Sequence, residues 1–142
     1  MRNHSCGAHP EIRDYGCEPF IFNIDHATNK NKNFRTTLWT GRDMQLTLMS
    51  IPKCSEIGVE MHSDVDQFIR IESGAAKVYI GRSPNSLREE ACVDSNYAII
   101  IPSGTWHNIV NVGGRPLKLY SLYAPPQHPR GTVHVTKEEA EH

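Results

Sequence analysis

The sequence predicts an all-β domain, a sandwich or a barrel. Three observations carry this. Short runs rich in β-branched, aromatic and aliphatic residues recur at intervals of roughly 8–12 residues. Turn clusters such as "GRSPNS" and "NVGGRP" separate them. No segment before the carboxyl end shows a helical period.

In chain order the predicted strands begin with "PFIFNI", Pro19 to Ile24. "FRTTLWTG" (Phe34 to Gly41) and "MQLTLMSIP" (Met44 to Pro52) follow. Next come "IGVEMH", "DQFIRIESG", "AKVYIG", "YAIIIP", "WHNIVNVGG" and "PLKLYSLYAPP". Residues 1–18 mix Cys, His, Gly and Pro without period and read as an irregular arm. Residues 19–125 carry the strands. Residues 126–142 are Pro-rich at their start and read as an extended tail. Near the end, Thr136 can N-cap a short helix, with Glu139 three residues on.

At 142 residues the chain has the size of one domain and can bury a core without disulfides. Lys and Arg total 15 against 16 Asp and Glu. That balance lacks the basic footprint of a nucleic-acid binder. No apolar run approaches the ~18 residues of a membrane span. The first residues, "MRNHSCGAHPEIRD", have no apolar signal-like core. A cytoplasmic protein with no membrane or nucleic-acid partner is the expectation. The spacing of Cys6, Cys17, Cys54 and Cys92 fits no disulfide framework. Cys54 and Cys92 read as semi-buried thiols. His4, Cys6, His9 and Cys17 are zinc-type ligands in no strong zinc spacing.

Chemistry concentrates in two stretches. In "GVEMHSDVDQFIRIESG", Glu60 and His62 share a strand face, as do Gln67, Ile69 and Ile71. "SDVD" between them reads as a hairpin turn, which would gather Glu60, His62 and Gln67 at a barrel mouth. In "IPSGTWHNIVN", His107 shares a face with Ile109, and Trp106 takes the opposite one, toward outer packing or a dimer contact.

These stretches resemble the two motifs of the cupin family. The first family motif runs Gly, five residues, His-x-His, three or four residues, Glu, six residues, Gly. Glu60 stands at its first His, His62 at the second, Gln67 at the Glu and Gly74 at the closing Gly. Pro102, Gly104, His107 and Asn111 match the second motif, Pro-x-Gly-x-x-His-x-x-x-Asn. Cys54 and Asn96 replace the glycines that open the two motifs. The resemblance implies a double-stranded β-helix, or jelly-roll barrel, holding one divalent metal through Glu60, His62, Gln67 and His107. Two imidazoles and a carboxylate suit Fe(II), and also Mn, Ni, Co or Zn. The absence of a thiolate argues against a closed structural zinc site. With Glu60 the only anion, a divalent ion leaves the site near +1.

The chain is further similar to small single-domain cupins described as mannose-6-phosphate isomerase-like. That likeness implies a metal-dependent isomerase acting on a sugar or sugar phosphate. A phosphate would need cations, but Arg70 has outward parity and Lys118 is ambiguous. The ligand set also permits an Fe(II)-dependent dioxygenase, and the fold permits a small-molecule binding protein without turnover. His128 and His134, in a tail able to fold over the barrel mouth, are candidate general acids or bases or structural residues. Tyr97, Tyr120 and Tyr123 read as packing residues. The expected partners are a small-molecule ligand and a second copy of the chain, with "PFIFNI" the candidate contact strand.

Overall fold

A computed structural model describes residues 9–141. Its strands are β1 (Arg35–Thr40), β2 (Gln45–Ile51), β3 (Asp66–Ser73), β4 (Ala76–Gly81), β5 (Arg88–Val93), β6 (Ala98–Ile101), β7 (Trp106–Asn111), β8 (Leu117–Ala124) and β9 (Val133–His134). They form two antiparallel sheets that face one another as an open jelly roll rather than a closed barrel. The large sheet runs β6-β3-β8-β2-β1-β9, and the small one β5-β4-β7. Among the described residues no helix is long and apolar enough to cross a membrane.

Strand alternation decides which residues enter the space between the sheets. Three cross-strand rows of the large sheet face inward. His134, Arg35, Met49, Leu119 and Ile71 form one row. Thr37, Thr47, Ser121, Ile69 and Ile99 form the next. Thr40, Gln45, Tyr123, Gln67 and Ile101 form the third. Ile69, Ile71, Met49 and Leu119 meet Val78, Ala76 and Ile109 of the small sheet in the main core. This apolar half holds the sheets together, and removing one such side chain costs about 2–5 kcal/mol. The other half of the interior is polar, and the site lies there.

The outer face of the large sheet carries a second core of Leu38, Leu46, Leu48 and Tyr120. The amino-terminal segment covers it with Ile12, Tyr15, Phe20, Phe22 and Ile24. "PFIFNI" is therefore not a strand. Phe20 and Phe22 stack at 4.5 Å, while Ile21 between them is exposed. The alternation is real, but it belongs to an extended segment packed onto a sheet without joining a ladder. Ile24 begins the unexpected helix α1 (Ile24–Lys30), capped where the Asn23 side chain accepts from the His26 amide. Its seven residues are too few to display a period.

Three further readings need correction. "IGVEMH" forms no strand, only isolated bridges from Glu56 to Val110 and from Glu60 to His107. The segment thus lies along β7, and "SDVD" carries the chain across to the other sheet instead of closing a hairpin. Strands β5 and β9 were not expected. β5 is exposed at all but its last residue, so no apolar alternation marks it. Cys54 and Cys92 are exposed rather than semi-buried. At the carboxyl end, Thr136 caps helix α2 (Lys137–Ala140) by accepting from the Glu139 amide.

Both positions where the opening motif glycine is replaced have left-handed backbone. Cys54 has φ 66° and Asn96 has φ 77°. The turns demand the conformation whatever residue fills them, and Asn tolerates it best after Gly. Gly74 keeps its glycine at φ 102°, where an added Cβ would lie 3.2 Å from Leu117 Cα. Gly74→Ala should therefore destabilise the protein by about 2 kcal/mol, measured by chemical denaturation.

Asp14 ties both ends of the chain to β1. Its carboxylate accepts from Thr40 Oγ1 at 2.6 Å, Thr40 N at 3.0 Å, Gly131 N at 3.0 Å and Gly16 N at 2.9 Å. Burial alone would push its pKa up, but the bonds from Thr40, Gly131 and Gly16 outweigh this and hold it below its ordinary value. Its contribution is thus fully present above the unfolded pKa and lost as pH falls through the lower folded one. Asp14→Ala should cost about 1–3 kcal/mol near neutral pH. The difference from the natural protein should shrink in denaturation curves taken below pH ~3.

Candidate metal centre

Glu60, His62 and His107 converge between the sheets, with one ligand atom from each within 4.8 Å of the others. The bridge between Glu60 and His107 sets two of them. Each amide donates to the other's carbonyl at 3.0 Å, fixing the two residues side by side. His62 follows two residues on, and its carbonyl accepts from Gly104 N at 2.8 Å, next to the turn that launches β7. The second motif thus does two jobs. Its Gly104, at φ 82°, makes the turn that receives His62, and its His107 enters the interior. Asn111 is structural. Its amide donates to the Ile51, Pro52 and Arg115 carbonyls and accepts from Gly113 N.

The His107 ring is 1% exposed. Its Nδ1 lies 2.9 Å from the Thr105 carbonyl, which can only accept, so Nδ1 carries the proton. Nε2 then turns a lone pair inward, 3.4 Å from Glu60 Oε1. His62 Nε2 stands 3.5 Å from the same oxygen. Neither nitrogen has a hydrogen-bond partner, although both are buried. A His107 lone pair and an unpartnered His62 nitrogen thus face one carboxylate, a set of donors that could hold a cation among them. A metal with bonds of ~2.1 Å separates tetrahedral ligands by about 3.4 Å, which matches the observed spacings. The Glu60 pKa falls to about 2. Burial opposes this, but the His107 and His62 side chains beside the carboxylate outweigh it.

Gln67 stands beside Tyr123 in the third inward row and is 3% exposed. Its amide nitrogen donates to Ser121 Oγ at 3.2 Å, which leaves Oε1 buried without a partner. The chemistry of the donor set suits one divalent ion, with His, carboxylate and amide ligands and no thiolate.

The tail places His128 over this end of the interior. Its ring meets the edge of Tyr123 at 5.3 Å, and Tyr123 meets His62 at 5.7 Å. Burial and the nearby Arg35 charge push His128 down to about 4. It is neutral at physiological pH, and its buried Nε2 is unpartnered. Gln45 holds the His128 backbone by accepting from its amide at 2.9 Å and donating to its carbonyl at 2.7 Å. His134 lies farther down β1, where its Nδ1 is 3.3 Å from Arg35 Nη1. Arg70 is turned outward onto Glu72 and Asn96, and Lys118 donates to the Asn31 carbonyl. Neither reaches the site.

Several site residues were not singled out from the sequence. Tyr123 was read as packing, yet it is fully enclosed and joins His62 to His128, with its hydroxyl pushed up to about 12 by burial and then by Glu60. No motif marks Gln45, Thr47 or Arg35. The signal for Gln45 and Thr47 was polarity at the parity of Met49 and Ile51. The expectation for the arm involves His4 and Cys6, which lie outside the described residues. His9 stacks on His26 at 3.5 Å, and Cys17 is exposed. A surface depression of about 630 Å³ between Gly81, Arg82, Leu87 and Thr105 is lined by none of the candidate ligands.

Comparison with known proteins agrees with this architecture. Residues 47–123 match the cupin domain. YrkC of Bacillus subtilis is 53% identical over 91% of this chain and 69% of that protein. L612 of Acanthamoeba polyphaga mimivirus is 37% identical over 85% of this chain and 74% of its own. The crystal structure of BH2720 from Bacillus halodurans superposes with a TM-score of 0.90 at 52% identity, covering 92% of this chain and 98% of that one. The two motifs, the jelly roll and these matches together make the chain a member of the cupin family.

Proposed function

We propose that this cupin is a metal-dependent enzyme acting on a small polar molecule held between the sheets. The observation that carries the reading is the half-buried carboxylate of Glu60 facing two buried imidazole nitrogens that lack hydrogen-bond partners. Glu60, His62 and His107 would hold a divalent ion, with Gln67 Oε1 as a fourth ligand. Such an ion supplies Lewis-acid polarisation of a substrate oxygen at its open positions.

The chain's own residues supply the rest. Thr105 fixes the His107 tautomer, and the Glu60–His107 bridge fixes the ligand spacing. His128 places an unpartnered Nε2 over the site, where it could exchange a proton with a bound substrate. Gln45 keeps that ring over the site. An isomerase working on a sugar would use these two elements, polarisation and a base. The two-imidazole, one-carboxylate triad supports a second reading, an Fe(II)-dependent dioxygenase. The two readings separate on the metal and on oxygen. Iron in protein purified without added metal, with substrate-dependent oxygen uptake, would favour the dioxygenase. Another divalent ion and no oxygen uptake would favour the isomerase.

Metal binding itself has two checks. Adding the physiological ion at about 100 times its Kd should stabilise the protein by about 2.7 kcal/mol, a rise in Tm of several degrees. Glu60→Gln and His107→Ala should abolish that increment in differential scanning calorimetry while keeping the fold. Retention of stoichiometric metal by both variants would sink the reading. The increment should also fade in acid, since protons compete with a metal ion for its ligands.

A further inference from the structure

Arg35 is a buried cation with no counter-ion among the described residues. The residue is 5% exposed, and its row turns it inward with Met49, Leu119 and Ile71. Among the described residues its guanidinium forms no ion pair. Its one hydrogen bond there goes to the neutral-type acceptor Nδ1 of His134, and Nε is buried without any partner. The Phe34 ring lies 5.6 Å away and offers only a weak cation–π contact. A buried charge left in this state is costly.

Arg35 also shares its surroundings with the candidate metal centre. The buried side-chain atoms lacking partners among the described residues are Arg35 Nε, Thr47 Oγ1, Gln67 Oε1, His62 Nε2, His107 Nε2 and His128 Nε2. Arg35, Thr47, Gln67 and His107 turn inward by register. His62 and His128 meet the inward-facing Tyr123. Unsatisfied polar groups are rare in native interiors. Here all of them belong to the interior between the sheets, with metal-type donors at one end and, by register, the guanidinium two rows from Gln45 and Tyr123.

We propose that the ligand of this cupin is a small organic acid whose carboxylate pairs with Arg35 while an oxygen elsewhere in it faces the metal centre. Arg35 presents a planar fork suited to one carboxylate. The groups beside it, Thr47, Tyr123 and His134, are neutral hydrogen-bonding partners. A phosphate dianion would bring a second charge that no neighbouring cation meets. The proposal rests on the reading of a ligand held between the sheets and names its chemical class.

The test is calorimetric titration of the full chain, with and without added divalent metal, using hydroxy acids, oxo acids and dicarboxylates of two to six carbons. The matched amides and inorganic phosphate serve as comparisons. At least one acid should bind tighter than its amide by about 10–100-fold, the scale of a charge-assisted bond. Arg35→Gln should erase that preference without lowering metal content, and Arg35→Lys should restore part of it. If Arg35→Gln does not fold, Arg35→Lys and the acid-to-amide ratio of the natural protein decide. Equal binding of acids and amides, or an acid preference untouched at Arg35, would overturn the assignment. So would phosphate binding tighter than every acid and dependent on Arg35. Metal analysis run in parallel separates the two ideas. Acid selectivity without metal binding would remove the metal reading and leave Arg35 standing. Metal binding without acid selectivity would do the reverse.

Discussion

A carboxylate set between two unpartnered imidazole nitrogens organises this molecule. Glu60 faces His62 and His107 at 3.5 and 3.4 Å, and neither nitrogen has a hydrogen-bond partner. Polar groups gathered and left unpaired in this way oppose folding. The fold therefore has to hold the three residues against their own repulsion. It does so with backbone pairing, because the Glu60–His107 bridge is made of main-chain bonds that no side-chain charge can open. The apolar half of the interior supplies the stability that this polar half lacks.

The interior is divided along the strands. In β8, Leu117 and Leu119 belong to the apolar core, while Ser121 and Tyr123 line the site. In β3, Ile71 and Ile69 give way to Gln67. In β2, Ile51 and Met49 give way to Thr47 and Gln45. One register thus carries both functions, and a slip of one residue would send core and site together to the outer face. The tail completes the polar end. Asp14 holds Gly131 to β1, Gln45 holds His128, and β9 pairs with β1 beyond them.

The sequence disclosed the fold class and the triad because both follow from alternation plus fixed spacing. Gln67, Ile69 and Ile71 are buried together, as parity required. What stayed hidden has physical causes. Alternation in "PFIFNI" reports burial of one side, not ladder pairing, so a packed arm reads like a strand. The segment holding Glu60 and His62 looked like half of a hairpin because sequence neighbours usually pair. It pairs with β7 instead, a contact some forty residues away that no local signal announces. Arg35 was invisible for another reason. β1 is buried on both faces, with Leu38 in the outer core and Arg35 in the inner space. The inward face of "RTTLWT" is undecided until β2 and β9 set its register.

The placing of the carboxylate at position 60, where the motif has a His, and of an amide at position 67, where it has the Glu, gains a meaning from that register. Position 67 is enclosed beside Ser121 and Tyr123, whereas about a quarter of the Glu60 side chain is exposed. A carboxylate at position 67 would add an enclosed anion to the inner face of the large sheet. With glutamine there, none of the three inward rows contains a carboxylate, and Arg35 is their only permanently charged group. The anion sits instead across the space, paired in backbone with β7 and engaged with the two imidazoles. The candidate ligands keep one negative charge in total, but the large sheet's side of the interior becomes electropositive. Moving the carboxylate thus leaves the charge of the candidate ligand set unchanged while leaving the guanidinium of Arg35 without an enclosed anion on its own sheet.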